Sequence, residues 1–386
     1  SEAPPWRLLD CQRGAFGTQA STHKFGVKIS KLLDHGYKVF LTDADLTIEM
    51  SETLAKLYNK TGLRQISFDG LEGNRSTGLG TYGESLMPYT WYKALAPELK
   101  DHLIIDASRT THFFWHIYSR MNWGEPWYAG FRESQTQYRF NNQAYFQRNF
   151  MPGMLGWFRM TAETSLEDIE WMLAKSAGYA AGYALVADPE SIAQNGNIDI
   201  ILDKVGDWEK LRLSDVFSEA QKFAMRDNNK EFTLQRVDGQ SWSWQAVHSH
   251  IFTHENKVRQ PGEPLYSTFN FQNPASEQPM QFFLSAQKYG VSEISFEINN
   301  YKKIALPLVL EKGQRLQYSG GDELWVLDAQ WNLLKSLKVP YVDFKLNTGE
   351  NSLNVDCKFN TPETKAALKL EIKTLGKSER IVLPKI

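Results

Sequence analysis

The feature that most limits the fold is a change of period near residue 228. Up to about residue 225, apolar runs of strand length alternate with segments of helical period. From about Phe232 the runs become short, alternate polar with apolar, and are punctuated by Gly, Pro, Asn and Asp. The first pattern is that of βαβ units around a parallel sheet, because a strand covered on both faces reads as a short apolar run. The second is that of antiparallel strands with one wet face, stacked as a sandwich. The chain therefore reads as α/β: a (β/α)8-barrel-like domain over residues 1–228 and a C-terminal antiparallel β-sandwich domain over residues 229–386.

In the first part, strands are expected at Lys38–Thr42, Arg64–Asp69, His102–Asp106, Gly153–Met160 and Gly182–Ala187, with Trp6–Cys11 as an earlier candidate. Helices are expected at Met50–Lys60, Glu84–Leu95, Thr111–Met121, Ser134–Asn149 and Ser165–Ala177. The last carries a start signal, Thr164-Ser165 followed by Glu167 and Asp168. Five or six βα units fall short of the eight of a closed barrel. Either one or two strands are degenerate, or the first strands lay upstream of Ser1. A chain that begins with Ser rather than Met is read as a processed product or fragment, and an upstream segment or second chain would then complete the barrel. In the second part, strands are expected at Glu231–Val237, Trp242–Val247, Gln281–Ser285, Glu293–Ile298, Lys303–Leu310, Glu323–Asp328, Tyr341–Lys345 and Lys369–Ile372.

Charge and composition remove several function classes. A net charge of -2, from 43 basic and 45 acidic residues, gives no electrostatic footprint for nucleic acid or a membrane surface. No run approaches the length of a membrane span. The two cysteines, Cys11 and Cys357, form neither a disulfide framework nor a zinc pattern. His248 and His250 share a strand face near His254, but only Glu255 stands beside them, so no metal is expected. H-E-x-x-H, G-x-S-x-G and the P-loop motif are absent.

The chemistry is expected at strand ends. Arg64-Gln65-Ile66-Ser67-Phe68-Asp69-Gly70-Leu71-Glu72-Gly73 reads as an apolar strand ending in Asp69 and Glu72 among glycines. Asp106 ends the next strand, and Asp43 with Asp45 follows an earlier one. Neighbouring strand ends open onto one rim, and two carboxylates in different environments are what glycosidic cleavage needs. The competing reading is that such acids cap helices. The stretch Trp123–Ser134 brings Trp123, Trp127, Tyr128, Arg132 and Glu133 to an excursion on the loop face. Glu133 is a candidate acid, or else a helix N-terminal acid favoured by the dipole. Arg109 and Arg132 suit a substrate carboxylate or sulfate, or pair with the acids. Trp157 belongs to a pocket floor or to the core. With 12 Trp, 16 Tyr and 22 Phe, faces for stacking on sugar rings are abundant, although a large core uses such residues too.

Gly78-Leu79-Gly80-Thr81-Tyr82-Gly83 competes as a dinucleotide loop, with Asp106 as the later acid. The glycine turn should follow its strand at once, yet residues Gly70–Thr77 intervene.

A βα domain with acid-tipped strands such as Ile66-Ser67-Phe68-Asp69-Gly70, followed by an all-β domain, resembles retaining glycoside hydrolases with (β/α)8 barrels, in particular the α-galactosidase-like and endo-α-N-acetylgalactosaminidase-like families. The resemblance covers about residues 1–225 and the general architecture of the tail. It implies a glycosidase acting on a poly- or oligosaccharide without a cofactor, with Asp69 as nucleophile or base and Asp106 or Glu133 as its partner. Glu72, Arg109, Trp123, Trp127, Arg132, Trp157 and Asp43 would contact sugar, and a periplasmic or secreted setting is expected. Two alternatives remain: a non-catalytic glycan-binding protein, or an NAD-dependent oxidoreductase using Gly78–Gly83.

Overall fold

The computed structural model describes the chain apart from residues 1–3, 5, 6, 28–32, 35–39, 42, 108–114, 122–129, 133–136, 340–343, 363–365, 385 and 386. The architecture is mixed α/β, with antiparallel sheet dominating the C-terminal region. Two units separate: Ser1–Leu63 with Gly70–Lys100, and Arg64–Asp69 with Asp101–Ile386.

In the first unit, β1 (Leu33–Asp34) pairs antiparallel with β2 (Phe40–Leu41). Helix α1 (Ala44–Thr61) starts where the Asp43 carboxylate accepts the Leu46 N–H at 2.9 Å, and stops at Gly62, whose φ of 72° suits a residue without a Cβ. It packs on α2 (Thr81–Ala94), with the Tyr58 ring edge-on to Trp91 at 5.2 Å. A 3-10 helix, Leu71–Thr77, precedes α2, and Arg75 Nε meets the fully buried Glu84 carboxylate at 2.6 Å. The short α3 (Pro97–Lys100) ends the unit.

The second unit begins with a parallel ladder of β3 (Gln65–Phe68), β4 (Ile104–Ala107) and β5 (Arg120–Met121), in which Asp106 lies opposite both Ser67 and Arg120. After α4 (Gln137–Arg148), a second parallel pair joins β6 (Met154–Arg159) to β7 (Gly182–Val186) across α5 (Leu166–Tyr179). Helices α6 (Pro189–Gln194), α7 (Ile198–Leu213) and α8 (Glu219–Met225) follow. Two expected elements differ. The described residues of Trp6–Cys11 form no strand. Within Thr111–Met121, residues Trp115–Ile117 form a turn and Arg120–Met121 become β5. That segment is rich in aromatic, weak helix formers, and pairing of Arg120 beside Asp106 overrides its helical period.

The antiparallel region holds β8 (Glu231–Arg236), β9 (Ser241–Glu255), β10 (Ser267–Asn273), β11 (Gln278–Pro279), β12 (Gln281–Gln287), β13 (Val291–Ile298), β14 (Lys302–Leu306), β15 (Arg315–Tyr318), β16 (Glu323–Leu327), β17 (Leu333–Lys338), β18 (Lys345–Leu346), β19 (Gly349–Phe359), β20 (Ala367–Leu375) and β21 (Glu379–Val382). One sheet runs β17-β16-β15-β12-β20-β9-β21, with β8 also on β9; a second runs β10-β19-β13-β14. Phe282, Leu284 and Leu370 of the first share a buried core with Ile294, Phe296 and Val355 of the second. A different core joins Ile169, Trp171, Trp208 and Leu211 of the helices to Phe232, Trp242 and Trp244 of β8 and β9. The fifteen-residue β9 thus serves both cores, and the helices before residue 228 pack directly on strands after it.

Candidate functional site

Because side chains alternate along a strand, the sheet that buries Phe282, Leu284 and Ala286 turns Phe283 and Ser285 to its opposite face. Cross-strand register sets their neighbours. Ser285 lies between Arg315 of β15 and Lys369 of β20, and Phe283 lies beside Glu371, which faces Ile251 of β9. Gln281 lies beside Lys373, which faces Ser249. All of these except Gln281 form the floor of a cavity of about 630 Å³, within the range of small-ligand sites.

The walls come from the start of α5 and from the β16–β17 turn. Ser165 caps α5 by accepting the Asp168 N–H at 3.1 Å, which points Glu167 and Asp168 into the first turn and the cavity lining. Trp331 is only 7% exposed and is held at a φ of 68°, uncommon for a bulky residue. Its position is tied down on several sides. The Asp328 carboxylate accepts the N–H groups of Gln330 and Asn332 at 2.8 and 2.9 Å. The Gly196 N–H donates to the Gln330 carbonyl at 2.8 Å, and Trp331 Nε1 donates to the Glu163 carbonyl at 2.9 Å. Phe283 meets the Trp331 ring edge-on at 5.8 Å, so the two make an aromatic corner.

Charge in the cavity is arranged in two bridges. Lys373, 5% exposed, stands 2.8 Å from Glu167 and 3.5 Å from Glu371, with its ammonium 4.4 Å over the Phe283 ring. Burial works against the Glu167 carboxylate, but the Lys373 ammonium outweighs it and holds Glu167 below the usual carboxylate range. Burial likewise opposes the Lys373 ammonium, and Glu167 and Glu371 together hold it above the ordinary value. Arg132 pairs with Asp168 at 2.5 Å and with Glu231, and lies 5.5 Å over the Trp171 ring. Arg315 stacks on Trp331 at 4.0 Å, and burial lowers its pKa despite Glu163, Glu167, Asp328 and Asp168 nearby. The arrangement offers fixed carboxylates and guanidinium donors beside two aromatic rings, a lining suited to a polar ligand.

Of the residues expected from the sequence, Arg132 lines this cavity. Asp69 is exposed, immediately after β3. Asp106 is 3% exposed inside β4, its Oδ2 accepting from Arg120 Nε at 2.9 Å. Asp43 caps α1, and Glu72 belongs to the 3-10 helix of the first unit. Trp157 is half-buried on β6. Glu133, Arg109, Trp123 and Trp127 lie outside the described residues. The Gly70–Thr77 interval before Gly78 contains the 3-10 helix, so the glycine motif does not follow β3 directly.

Arg315, Trp331, Phe283, Glu167, Glu371 and Lys373 also line the cavity and belong to no catalytic or binding motif in the sequence. A signal existed: Lys369, Glu371 and Lys373 alternate with the buried Leu368, Leu370 and Ile372, so three successive positions on one strand face are charged. Among the described residues, no group of His, Cys, Asp and Glu is arranged to hold a metal ion. No protein-family model matches the chain, and no curated protein matches it.

Proposed function

We propose that this protein is a glycoside hydrolase acting on a poly- or oligosaccharide, and that the cavity over the outer face of the large sheet is where glycan binds. The observation that carries the reading is the pair Glu167 and Glu371 on either side of Lys373, beside the Phe283–Trp331 corner. Oxygens of both carboxylates lie within 3.5 Å of one nitrogen, hence nearer to each other than the roughly 6.5–9.5 Å of inverting enzymes. Glu167, held ionised, suits the nucleophile or the charge that stabilises an oxocarbenium-like transition state. Glu371, on the same ammonium, is its partner carboxylate. Asp69, exposed after a parallel strand, is the competing nucleophile or base, with Glu133 as its partner; Asp106 is engaged by Arg120. The parallel ladders β3-β4-β5 and β6-β7 would then belong to a (β/α)8-barrel-like domain whose first strands are degenerate or supplied by another segment, and the two antiparallel sheets to a β-sandwich. A polymeric glycan goes with a periplasmic or secreted setting, since such a polymer does not cross a membrane unaided.

The test is reducing-end release from a panel of polysaccharides by the wild type, Glu167→Gln, Glu371→Gln and Asp69→Asn. Loss of turnover of about 10³-fold or more in the two Gln variants, with Asp69→Asn active, is the expected result. Full activity in both Gln variants would overturn the cavity as the catalytic centre, and loss in Asp69→Asn alone would move the chemistry to β3. A second reading, glycan binding without turnover, is favoured by one observation: Glu167, Asp168, Glu231 and Glu371 are each held by Lys373 or Arg132. Calorimetric binding with no product from any substrate would select it.

A further inference from the structure

Two cations on the cavity floor stand apart from the two bridges. Arg315 and Lys369 flank Ser285 in one row across β15, β12 and β20. Among the described residues neither has an ion-pair partner, whereas Lys373 has two carboxylates and Arg132 has two. Adjacent strands are about 4.8 Å apart, so the two cationic side chains rise about 10 Å apart with a hydroxyl between them. Ser285 Oγ accepts from Gln287 Nε2 at 3.0 Å, which leaves its own O–H to donate. The Arg315 guanidinium lies 4.0 Å over Trp331, and its Nη1 is a buried donor without an acceptor among the described residues. A guanidinium is a planar fork of N–H donors. Such a fork matches two oxygens of one oxyanion.

The carboxylates around Arg315 do not fill this role. Glu167 and Asp168 are engaged by Lys373 and Arg132, and Asp328 accepts the backbone of its own turn. Glu163 is exposed and forms no ion pair among the described residues. We infer that Arg315, Ser285 and Lys369 form a subsite for an oxyanion carried by the ligand, a sulfate ester or uronate carboxylate on the glycan. The inference rests on the cavity being a glycan site; it adds that the glycan is anionic.

Calorimetry on the full chain tests it with four probes: a sulfated oligosaccharide, a uronate-containing oligosaccharide, the matched neutral oligosaccharide and inorganic sulfate. The expected result is at least tenfold tighter binding of one anionic oligosaccharide than of the neutral one, weakened by added salt. Which of the two wins identifies the oxyanion. Arg315→Gln and Lys369→Ala should each abolish the preference for the anionic oligosaccharide over the neutral one, and Arg315→Lys should retain part of it. Lys369 is exposed, so its variant keeps the test valid if Arg315→Gln fails to fold. Equal affinity for anionic and neutral sugars, or a preference that survives both substitutions, overturns the inference while leaving the carbohydrate reading standing. Sulfate binding lost in Lys369→Ala, with no oligosaccharide bound, keeps the anion subsite and overturns the carbohydrate reading. No binding of any probe overturns both.

Discussion

Lys175 should make this protein more stable as pH rises from neutral. The side chain is 0% exposed, and its nitrogen donates to the carbonyls of Asp227 at 2.6 Å and Lys230 at 2.8 Å. The rings of Trp171 and Phe232 lie at 5.6 and 5.9 Å. Burial pushes the ammonium down to about 7, with Asp227 and Glu231 opposing and Arg132 and Lys230 adding to the fall. A neutral amine still has two N–H groups for two carbonyls, so deprotonation costs neither hydrogen bond. The unfolded chain holds this proton until about pH 10.4. Between those values the unfolded state binds the extra proton, and stability therefore rises with pH. The Cys357 thiol, pushed up to about 12 by burial, acts in the opposite direction at higher pH, so the useful window ends near pH 8.5. From pH 7 to 8.5 the gain is about 1.5 kcal/mol, below the full slope of about 1.4 kcal/mol per unit because titration is half complete at pH 7. The measurement is urea unfolding followed by tryptophan fluorescence at several pH values across that window, for wild type and Lys175→Met. The difference between the two stability curves should change by that amount. Parallel curves would show that Lys175 titrates alike in both states, and the reasoning would fail.

Three further outcomes concern the same unit. Glu170→Ala should lower stability by about 3–5 kcal/mol in urea, because this buried carboxylate accepts from Lys204 Nζ at 3.1 Å, Trp208 Nε1 at 3.3 Å, Thr233 Oγ1 at 2.9 Å and the Leu234 N–H at 3.0 Å; an unchanged midpoint would show that these donors find water instead. Ser218→Ala removes one half of the capping box with Gln221 at the start of α8 and should cost about 1 kcal/mol in the same assay. Gly196→Ala would drive a Cβ into the Trp331 carbonyl; a loss of about 1–3 kcal/mol is expected, together with weaker ligand binding as Trp331 shifts, and a variant with wild-type melting and affinity would show that the turn is not rigid.

Much of the helical framework could be read in advance because its signals are local. The Ser165 cap is a property of four consecutive residues, and the structure shows the bond that those residues imply. Strand ends were harder to interpret. Asp43 and Asp106 carry the same chemistry in the sequence, yet one closes a helix terminus and the other is enclosed by Arg120. Polar strands escaped for a related reason. Asn351 and Asn354 in β19 are buried and satisfied by other amides and backbone groups, so their polarity carried no sign of a strand.

Taken alone, the sequence determined many of the helices and apolar strands, the change from parallel to antiparallel sheet, and the alternation that sends Lys369, Glu371 and Lys373 away from the core. Those depend on residues a few positions apart. Which charges meet was decided only by the tertiary structure. Glu167 reaches Lys373 across 206 positions because strand register and the docking of α5 bring them to 2.8 Å. Ion pairing acts over a few ångströms in space and is blind to separation along the chain.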